Sequence, residues 1–310
     1  MKTLQLEYKQ LTREEKRGWL GKFGSVDQME HYLDLAKEDV DAGILVVDAT
    51  TGRKLLYIGA MRGYDTQAVF DYLGSLRISP KSRLSRGVVS NHIQIGFTPR
   101  NNFRGNFCTP TLSMMEHKDL QVFGHYMALH GEAEYKKAMP EMYADHVKEM
   151  EKLKDDQLKI SPTSLFTSAV INKSNRIQYH LDKGNTSEGA TLMCYVMRDT
   201  KGGELLLPEL GLAINVTDGV FILAEGHKLI HGVAPIERTT ESAERYSVVY
   251  YSKKELFNCK VVLDDEQDYA NEKNTINFVE KLDNMESLQK MRDRNYNKVK
   301  EKYGFNEEQD

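Results

Sequence analysis

The sequence predicts an α+β protein in which an antiparallel β-sandwich or barrel is flanked by helices. Between residues 164 and 252, short apolar and β-branched runs follow one another closely, separated by Gly, Asn and Asp with no helical insert. Residues 12 to 41 and 111 to 153 instead carry apolar side chains at helical spacing, and the chain after residue 266 has the same character. With 310 residues, the chain can bury one large core or two small ones.

The N-terminal part predicts two amphipathic helices, a hairpin and a third helix. The first helix, in LTREEKRGWLGKF, begins with a capping pair formed by Thr12 and Glu15. The second covers SVDQMEHYLDLAKEDVDAG and stops at Gly43. The run ILVVDATTGRKLLYIG places two β-rich segments around Thr-Thr-Gly, which favours a hairpin, and DTQAVFDYLGSL follows as a helix.

Residues 80 to 110 differ in composition from the segments around them. They are rich in Arg, Asn, Gly and aromatic residues and poor in acidic ones, which is typical of a surface loop region or of a wall that faces a ligand. From residue 111 to 153 the helical pattern returns, with Pro140 as a break or kink.

We divide the chain into three parts. Residues 1–79 form an N-terminal helical and hairpin segment that packs on the core, and 80–258 form the β-rich core domain with inserted helices. Residues 259–310 form a C-terminal helical extension. The sequence contains no internal repeat and no low-complexity segment.

The bulk composition is that of a soluble globular protein, with 40% hydrophobic and 28% charged residues. A formal net charge of −4 gives the whole molecule no general attraction for nucleic acid or anionic membranes, although a local basic face is compatible with it. No signal peptide and no run of about 18 apolar residues is present. We therefore expect a soluble intracellular protein.

The three cysteines are Cys108, Cys194 and Cys259. They are odd in number and far apart, and no pair has CxxC spacing. The sequence therefore predicts neither a disulfide framework nor a zinc knuckle, and a reducing compartment is the simplest expectation.

Three short stretches carry candidate chemistry: QYHLDKGN, LIHGVAPI and RYSVVYY. On a strand, His180 and Asp182 point to the same face because side chains alternate. An HxD pair alone is more often an ordinary surface pair. A second imidazole from a neighbouring strand completes the two-His-one-carboxylate set that leaves open positions on iron(II). His231 suits this role, since it ends an apolar strand and precedes Gly232.

A candidate anion clamp follows the distal histidine. Arg245 and Ser247 lie two residues apart, so they share one face of the last core strand. A guanidinium can hold a carboxylate through two hydrogen bonds, and a hydroxyl adds a further donor.

The order HxD, distal His and RxS resembles the 2-oxoglutarate- and iron(II)-dependent oxygenases of the double-stranded β-helix (jelly-roll) fold. The resemblance covers residues 164 to 252 strongly and 85 to 160 more loosely. It implies iron(II) as cofactor and 2-oxoglutarate as co-substrate, with Arg245 and Ser247 binding the latter. His227 competes with His231 as distal ligand, but the family places the phrase HGVAPI at that ligand.

Within this class, the chain resembles the TET/JBP family, whose members oxidise the 5-methyl group of cytosine or thymine in nucleic acid. Asn185 follows the carboxylate ligand by three positions, where the family has an Asn that hydrogen-bonds a flipped pyrimidine. The upstream segment RGVVSNHIQIGFTPRNNFRGNFC is also similar to one found in compact members. Some members carry a His after the RxSxxxY strand, whereas this chain has Ser252 and then two lysines, which leaves cytosine versus thymine open.

The resemblance implies DNA with a flipped-out base as partner, together with dioxygen, and hence a nuclear protein in a eukaryote and a cytoplasmic one otherwise. Substrate contacts are expected from Asn185, Tyr251, Arg100 and Arg104. The last two belong to a basic and aromatic stretch in which cations would hold phosphates and rings would stack on bases. A solvated loop with its aromatic side chains turned into the core explains this stretch equally well. Its members are Lys81, Arg83, Arg86, Phe97, Arg100, Phe103, Arg104 and Phe107.

Two other functions compete with DNA oxidation. The same motifs resemble prolyl-hydroxylase-type enzymes that act on a protein side chain or a small molecule, and an isoelectric point near 6.2 does not favour a DNA binder. A binding module that has lost catalysis is the third possibility, and the complete ligand set argues against it.

Overall fold

The computed structural model describes residues 1–78, 80–83, 88–99, 107–117, 119–161 and 163–261. Arg86, Arg100, Arg104 and almost all of the predicted C-terminal helical extension lie outside these ranges, so the predictions made for them rest on the sequence alone. Within the described ranges, no helix has both the length and the apolar character needed to cross a bilayer.

Strands dominate the described part of the chain, and helices precede or separate them. The strands are β1 Lys2–Leu6, β2 His31–Asp34, β3 Ile44–Asp48, β4 Lys54–Ala60, β5 Pro80–Arg83, β6 Val88–Pro99, β7 Phe107–Pro110, β8 Ser168–Lys173, β9 Thr191–Arg198, β10 Thr200–Gly202, β11 Leu205–Leu207, β12 Leu212–Asn215, β13 Val220–Ala224, β14 Gly232–Val233, β15 Ile236–Arg238, β16 Glu244–Tyr251 and β17 Lys260–Val261. The α-helices are α1 Arg13–Trp19, α2 Lys37–Ala42, α3 Thr66–Ser75, α4 Leu112–Glu116, α5 Leu120–Ala138 and α6 Pro140–Met150.

Two sheets form the core. The large sheet has the order β1-β3-β4-β13-β9-β16-β8-β6-β7-β17, with β5 paired to β6, and the small sheet has the order β14-β11-β12-β2. Pairing is antiparallel except at β1–β3, β7–β17 and β2–β12. The α+β class with a jelly-roll core is therefore confirmed.

The large sheet is buried on both faces, which explains why its strands are almost continuously apolar. On β16, Val248 joins the core that the sheet forms with the helices, whereas its neighbour Val249 joins the core between the two sheets. On β9, Cys194 and Met193 divide in the same way. This alternation directs one face of β9 and β16 into the space between the sheets, where the candidate ligands lie.

The second predicted helix, over residues 25 to 43, is wrong for most of its length. Only Lys37–Ala42 is α-helical, and it ends at Gly43, whose φ of +80° suits glycine. His31–Asp34 is instead a strand, because it pairs in parallel with Leu212–Asn215 and so completes the small sheet. This partner is distant in the sequence and overrides the local helical periodicity.

The other N-terminal predictions are confirmed. Thr12 caps α1 through a capping box with Glu15, and β3 and β4 form the expected antiparallel hairpin. Helix α3 is capped by Asp65, which accepts hydrogen bonds from two backbone N–H groups. Pro140 separates the predicted helical region at the start of α6.

The composition of residues 80 to 110 concealed three strands. The long β6 pairs with β8 inside the large sheet, and its Ile95 is fully buried. Phe97 is also buried in the core, at 4% exposure, so this ring is turned inward. For Phe97 the core-facing alternative therefore applies, and not base stacking.

The sequence predicted no disulfide framework, and the structure contains a disulfide that this prediction missed. Cys108 on β7 and Cys259, which directly precedes β17, form a disulfide with their Cα atoms 5.6 Å apart. The two positions are 151 residues apart in the chain, and the sheet brings them together by pairing β7 with β17. Cys194 is a free, buried thiol.

Candidate metal centre and co-substrate site

Two histidines and one aspartate converge in a cavity between the two sheets. Within the described ranges, His180, Asp182 and His231 are the one cluster whose ligand atoms all lie within 4.8 Å of one another. Nε2 of His180 is 3.5 Å from Oδ1 of Asp182, and Nε2 of His231 is 3.6 Å from Oδ2. His180 and His231 face each other as a single antiparallel bridge, not within a continuous strand as predicted.

The backbone fixes which nitrogen of each imidazole can bind a metal. Nδ1 of His180 is 2.9 Å from the carbonyl of Gln178, and Nδ1 of His231 is 2.9 Å from the carbonyl of Leu229. A carbonyl can only accept, so each Nδ1 carries the proton. Each Nε2 therefore presents a lone pair to the centre, and the donor set fits iron(II).

Gly226 leaves the space that the carboxylate ligand needs. Its carbonyl accepts the backbone N–H of Asp182 at 2.8 Å. A Cβ atom at position 226 would lie 2.5 Å from Oδ2 of Asp182 and 2.7 Å from Oγ1 of Thr191. Any side chain at position 226 would therefore displace the carboxylate.

Arg245 reaches into the same space from β16 and is only 3% exposed. Its Nη2 donates to the carbonyl of Gly203 at 3.0 Å, and its guanidinium lies over the ring of Tyr195 at 5.0 Å. Its Nε has no hydrogen-bond partner among the described residues. Burial lowers the pKa of Arg245, and the nearby Tyr195 and Glu204 oppose this effect because they favour the charged guanidinium. A buried guanidinium with a free donor fits the distal carboxylate of 2-oxoglutarate.

One cavity joins the candidate ligands to the candidate clamp. Its walls include the three metal-ligand candidates together with Arg245, Ser247 and Tyr251. Among the lining residues that were not predicted from the sequence are two asparagines, Asn172 and Asn175. Asn172 lies opposite Ser247 in the β8–β16 register and donates to its hydroxyl at 3.4 Å. The polar Asn at the end of the apolar run SAVIN was the signal that could have identified it.

The remaining predicted site residues lie in different places. Tyr251 lines the cavity, as a substrate contact requires. Asn185 is 2% exposed and its amide is bonded to protein groups, which differs from the accessible, base-facing amide expected from the sequence. His227 is not part of the metal cluster among the described residues, and burial lowers its pKa to about 4.

Comparison with known proteins agrees with this geometry. Residues 111–254 match the Tet_JBP family, described as the oxygenase domain of the 2OGFeDO superfamily. This segment is similar to a Tet/JBP oxygenase domain. The chain is a dioxygenase that depends on iron(II) and 2-oxoglutarate, as the motifs predicted, and His180, Asp182 and His231 could bind the iron.

One solved structure supports the jelly-roll fold of this chain. The structure of NgTET1 in complex with 5mC DNA superposes with a TM-score of 0.53 at 13% identity, covering 81% of this chain and 95% of that chain. A 2OG-Fe(II) oxygenase family oxidoreductase from Burkholderia pseudomallei has a TM-score of 0.37 at 15% identity, covering 66% of this chain and 88% of that chain. No curated protein matches the sequence.

The bound groups and the protein have separate roles at this site. Iron and 2-oxoglutarate, when bound, supply the oxidising chemistry. The protein supplies two neutral imidazoles and one carboxylate for the metal, and a buried cation with a hydroxyl that could hold and orient the co-substrate. The enclosing sheets bury these groups and so limit access of water to them.

Proposed function

We propose that this enzyme oxidises the 5-methyl group of a pyrimidine in DNA, 5-methylcytosine or thymine, to hydroxymethyl. The Tet_JBP match over residues 111–254, which contain the complete set of metal-ligand candidates, carries the proposal. The jelly-roll fold shared with NgTET1, whose solved structure contains 5mC DNA, adds support.

Each residue of the site has its own role in the proposed reaction. His180, Asp182 and His231 hold the iron, and Arg245 with Ser247 holds the far carboxylate of 2-oxoglutarate. Tyr251 borders the cavity beside them and contacts the target base. A base stacked within a duplex cannot reach a metal between two sheets, so the nucleotide has to flip out at a cost of a few kcal/mol. Such a substrate places the enzyme in the nucleus of a eukaryote or in the cytoplasm of a prokaryote.

The test supplies each methyl group separately. Four duplexes of one sequence would contain 5-methylcytosine with uracil, cytosine with thymine, both methylated bases, or neither. We expect succinate release and hydroxymethyl products with every duplex that contains the preferred methylated base, either 5-methylcytosine or thymine. The duplex that lacks both methylated bases should give neither. The same duplexes with the His231→Ala variant control for contaminating oxygenases.

Two outcomes would contradict the proposal. Equal succinate release with all four duplexes, and no hydroxymethyl product, would exclude the methyl group as the target. Turnover with proline-containing peptides and none with any duplex would favour the prolyl-hydroxylase-like alternative. A methylated RNA of the same sequence, run in parallel, separates RNA from DNA as the preferred polymer.

A further inference from the structure

We propose that Thr191 and Asn185 position the carboxylate ligand Asp182 through a directed chain of hydrogen bonds. Thr191 is the first residue of β9 and is fully buried beside the metal cluster. Its Oγ1 lies 3.0 Å from Nδ2 of Asn185 and 3.4 Å from Oδ2 of Asp182. Neither Thr191 nor Asn185 is a metal-ligand candidate, so their contribution would act through Asp182.

The direction of the chain follows from the amide of Asn185. Its Oδ1 accepts the backbone N–H of Thr186 at 2.9 Å and that of Ser252 at 2.8 Å. Backbone N–H groups can only donate, so the oxygen of the amide has to face them. The NH₂ group is thereby left to face Thr191, to which it donates.

The hydroxyl of Thr191 accepts from Asn185 and in turn donates to the carboxylate of Asp182. A hydroxyl has one proton to donate, and Asn185 occupies one of its acceptor positions. The proton is therefore free to point at Oδ2 of Asp182. A carboxylate held in this way through Oδ2 would keep a fixed orientation, with Oδ1 left to bind the metal.

The chain is anchored in the core on its far side. Ser252 donates its hydroxyl to the carbonyl of Leu165 at 2.7 Å, so Nε2 of His146, also at 2.7 Å, has to donate to Ser252. His146 belongs to α6 and is fully buried, and burial lowers its pKa to about 3, which keeps the ring neutral. The orientation of Asp182 is thus connected to a helix on the other face of the large sheet.

This role differs from the base contact expected for Asn185 from the family resemblance. A base-reading Asn185 would affect the choice of methylated base and leave metal binding unchanged. A positioning Asn185 would affect metal binding when no nucleic acid is present. The two roles therefore predict different results in a measurement that contains only protein and metal.

The first test replaces Thr191 by the nearly isosteric Val, which removes the hydroxyl and keeps the shape. We expect Mn(II) affinity, measured by electron paramagnetic resonance without nucleic acid, to fall by about 10- to 100-fold, as for other groups that orient a ligand. Thr191→Ser should restore most of the affinity. The matched control is Thr111→Val, which removes a buried hydroxyl that donates to the carbonyl of Gln94 and should leave Mn(II) affinity unchanged.

The second test is Asn185→Asp, which keeps an acceptor for the two backbone N–H groups but replaces the donor with a carboxylate oxygen. The proton of Thr191 would then turn away from Asp182, and we expect a loss of Mn(II) affinity similar to that of Thr191→Val. If Thr191→Val does not fold, Asn185→Asp decides. Mn(II) affinity within about threefold of wild type in the folded variants would overturn the proposal, and a change of base preference alone would establish the base contact. A purely structural role would lower the unfolding temperature without moving Mn(II) affinity.

Discussion

Replacement of Arg245 by Gln tests the assignment of the co-substrate clamp. The substitution removes the positive charge from a side chain that is 3% exposed, and keeps an amide donor on a shorter side chain. Loss of one partner from a buried, hydrogen-bonded charge pair costs about 2–5 kcal/mol, which corresponds to about a 30- to 4,000-fold weaker 2-oxoglutarate affinity. Because little water can reach the vacated position, we expect a value in the upper half of this range.

The assay is calorimetric titration of 2-oxoglutarate into protein loaded with Mn(II), which occupies the metal site without turnover. Arg198→Gln serves as the matched control, because Arg198 ends β9 outside the cavity and pairs with Asp218 at 2.7 Å. Its affinity for 2-oxoglutarate should equal that of the wild type. A change of less than about threefold in Arg245→Gln, equivalent to about 0.7 kcal/mol, would refute the assignment of Arg245 as the carboxylate partner.

Three further predictions concern other parts of the protein. His231→Ala should abolish Fe(II) binding in equilibrium dialysis while His227→Ala retains it, and the reverse result would exchange their roles. Reduction of the Cys108–Cys259 disulfide should lower the free energy of unfolding by up to about 5 kcal/mol in urea titrations, since it closes a loop of 151 residues, and no change would show that the bond carries no stability. Burial raises the pKa of the Glu132 carboxyl from 4.5 to about 7, so the folded state binds the carboxyl proton more tightly than the unfolded state does. The stability that this protonated carboxyl contributes is fully present below pH 4.5 and is lost as the pH rises through about 7. Glu132→Gln should therefore flatten the decline in stability between these two pH values, and an unchanged decline would assign it to other groups.

The ligand set could be predicted from the sequence because its parts are short and their spacing is local. His180 and Asp182 are two residues apart, as are Arg245 and Ser247, so either pair converges in almost any extended backbone. His231 required only that a second apolar run end beside the first. The structure places His180 on an isolated bridge and not in a strand, and the convergence holds all the same.

Asn172 could have been identified from its own short run, but most of the missed features depend on partners that are distant in the sequence. Periodicity predicted a helix at His31–Asp34, and only the pairing with Leu212–Asn215 makes this segment a strand. The roles of Thr191 and Asn185 also depend on a distant partner, because the direction of their hydrogen bonds is set by a backbone N–H from Ser252. No property of a short window contains such information.

The first strands of the chain occupy one edge of each sheet, and this has a consequence for synthesis on the ribosome. β2 pairs in parallel with β12, so residues 31 to 34 have no hydrogen-bonded partner strand until residues 212 to 215 have been synthesised. Until then the emerging N-terminal segment carries unpaired strand edges, which are open to pairing with other chains. Such long-range parallel pairing also slows folding, because the connecting loop has to close before the contact contributes. We therefore expect the small sheet to close late, and nascent chains to depend on chaperones until the oxygenase core is complete.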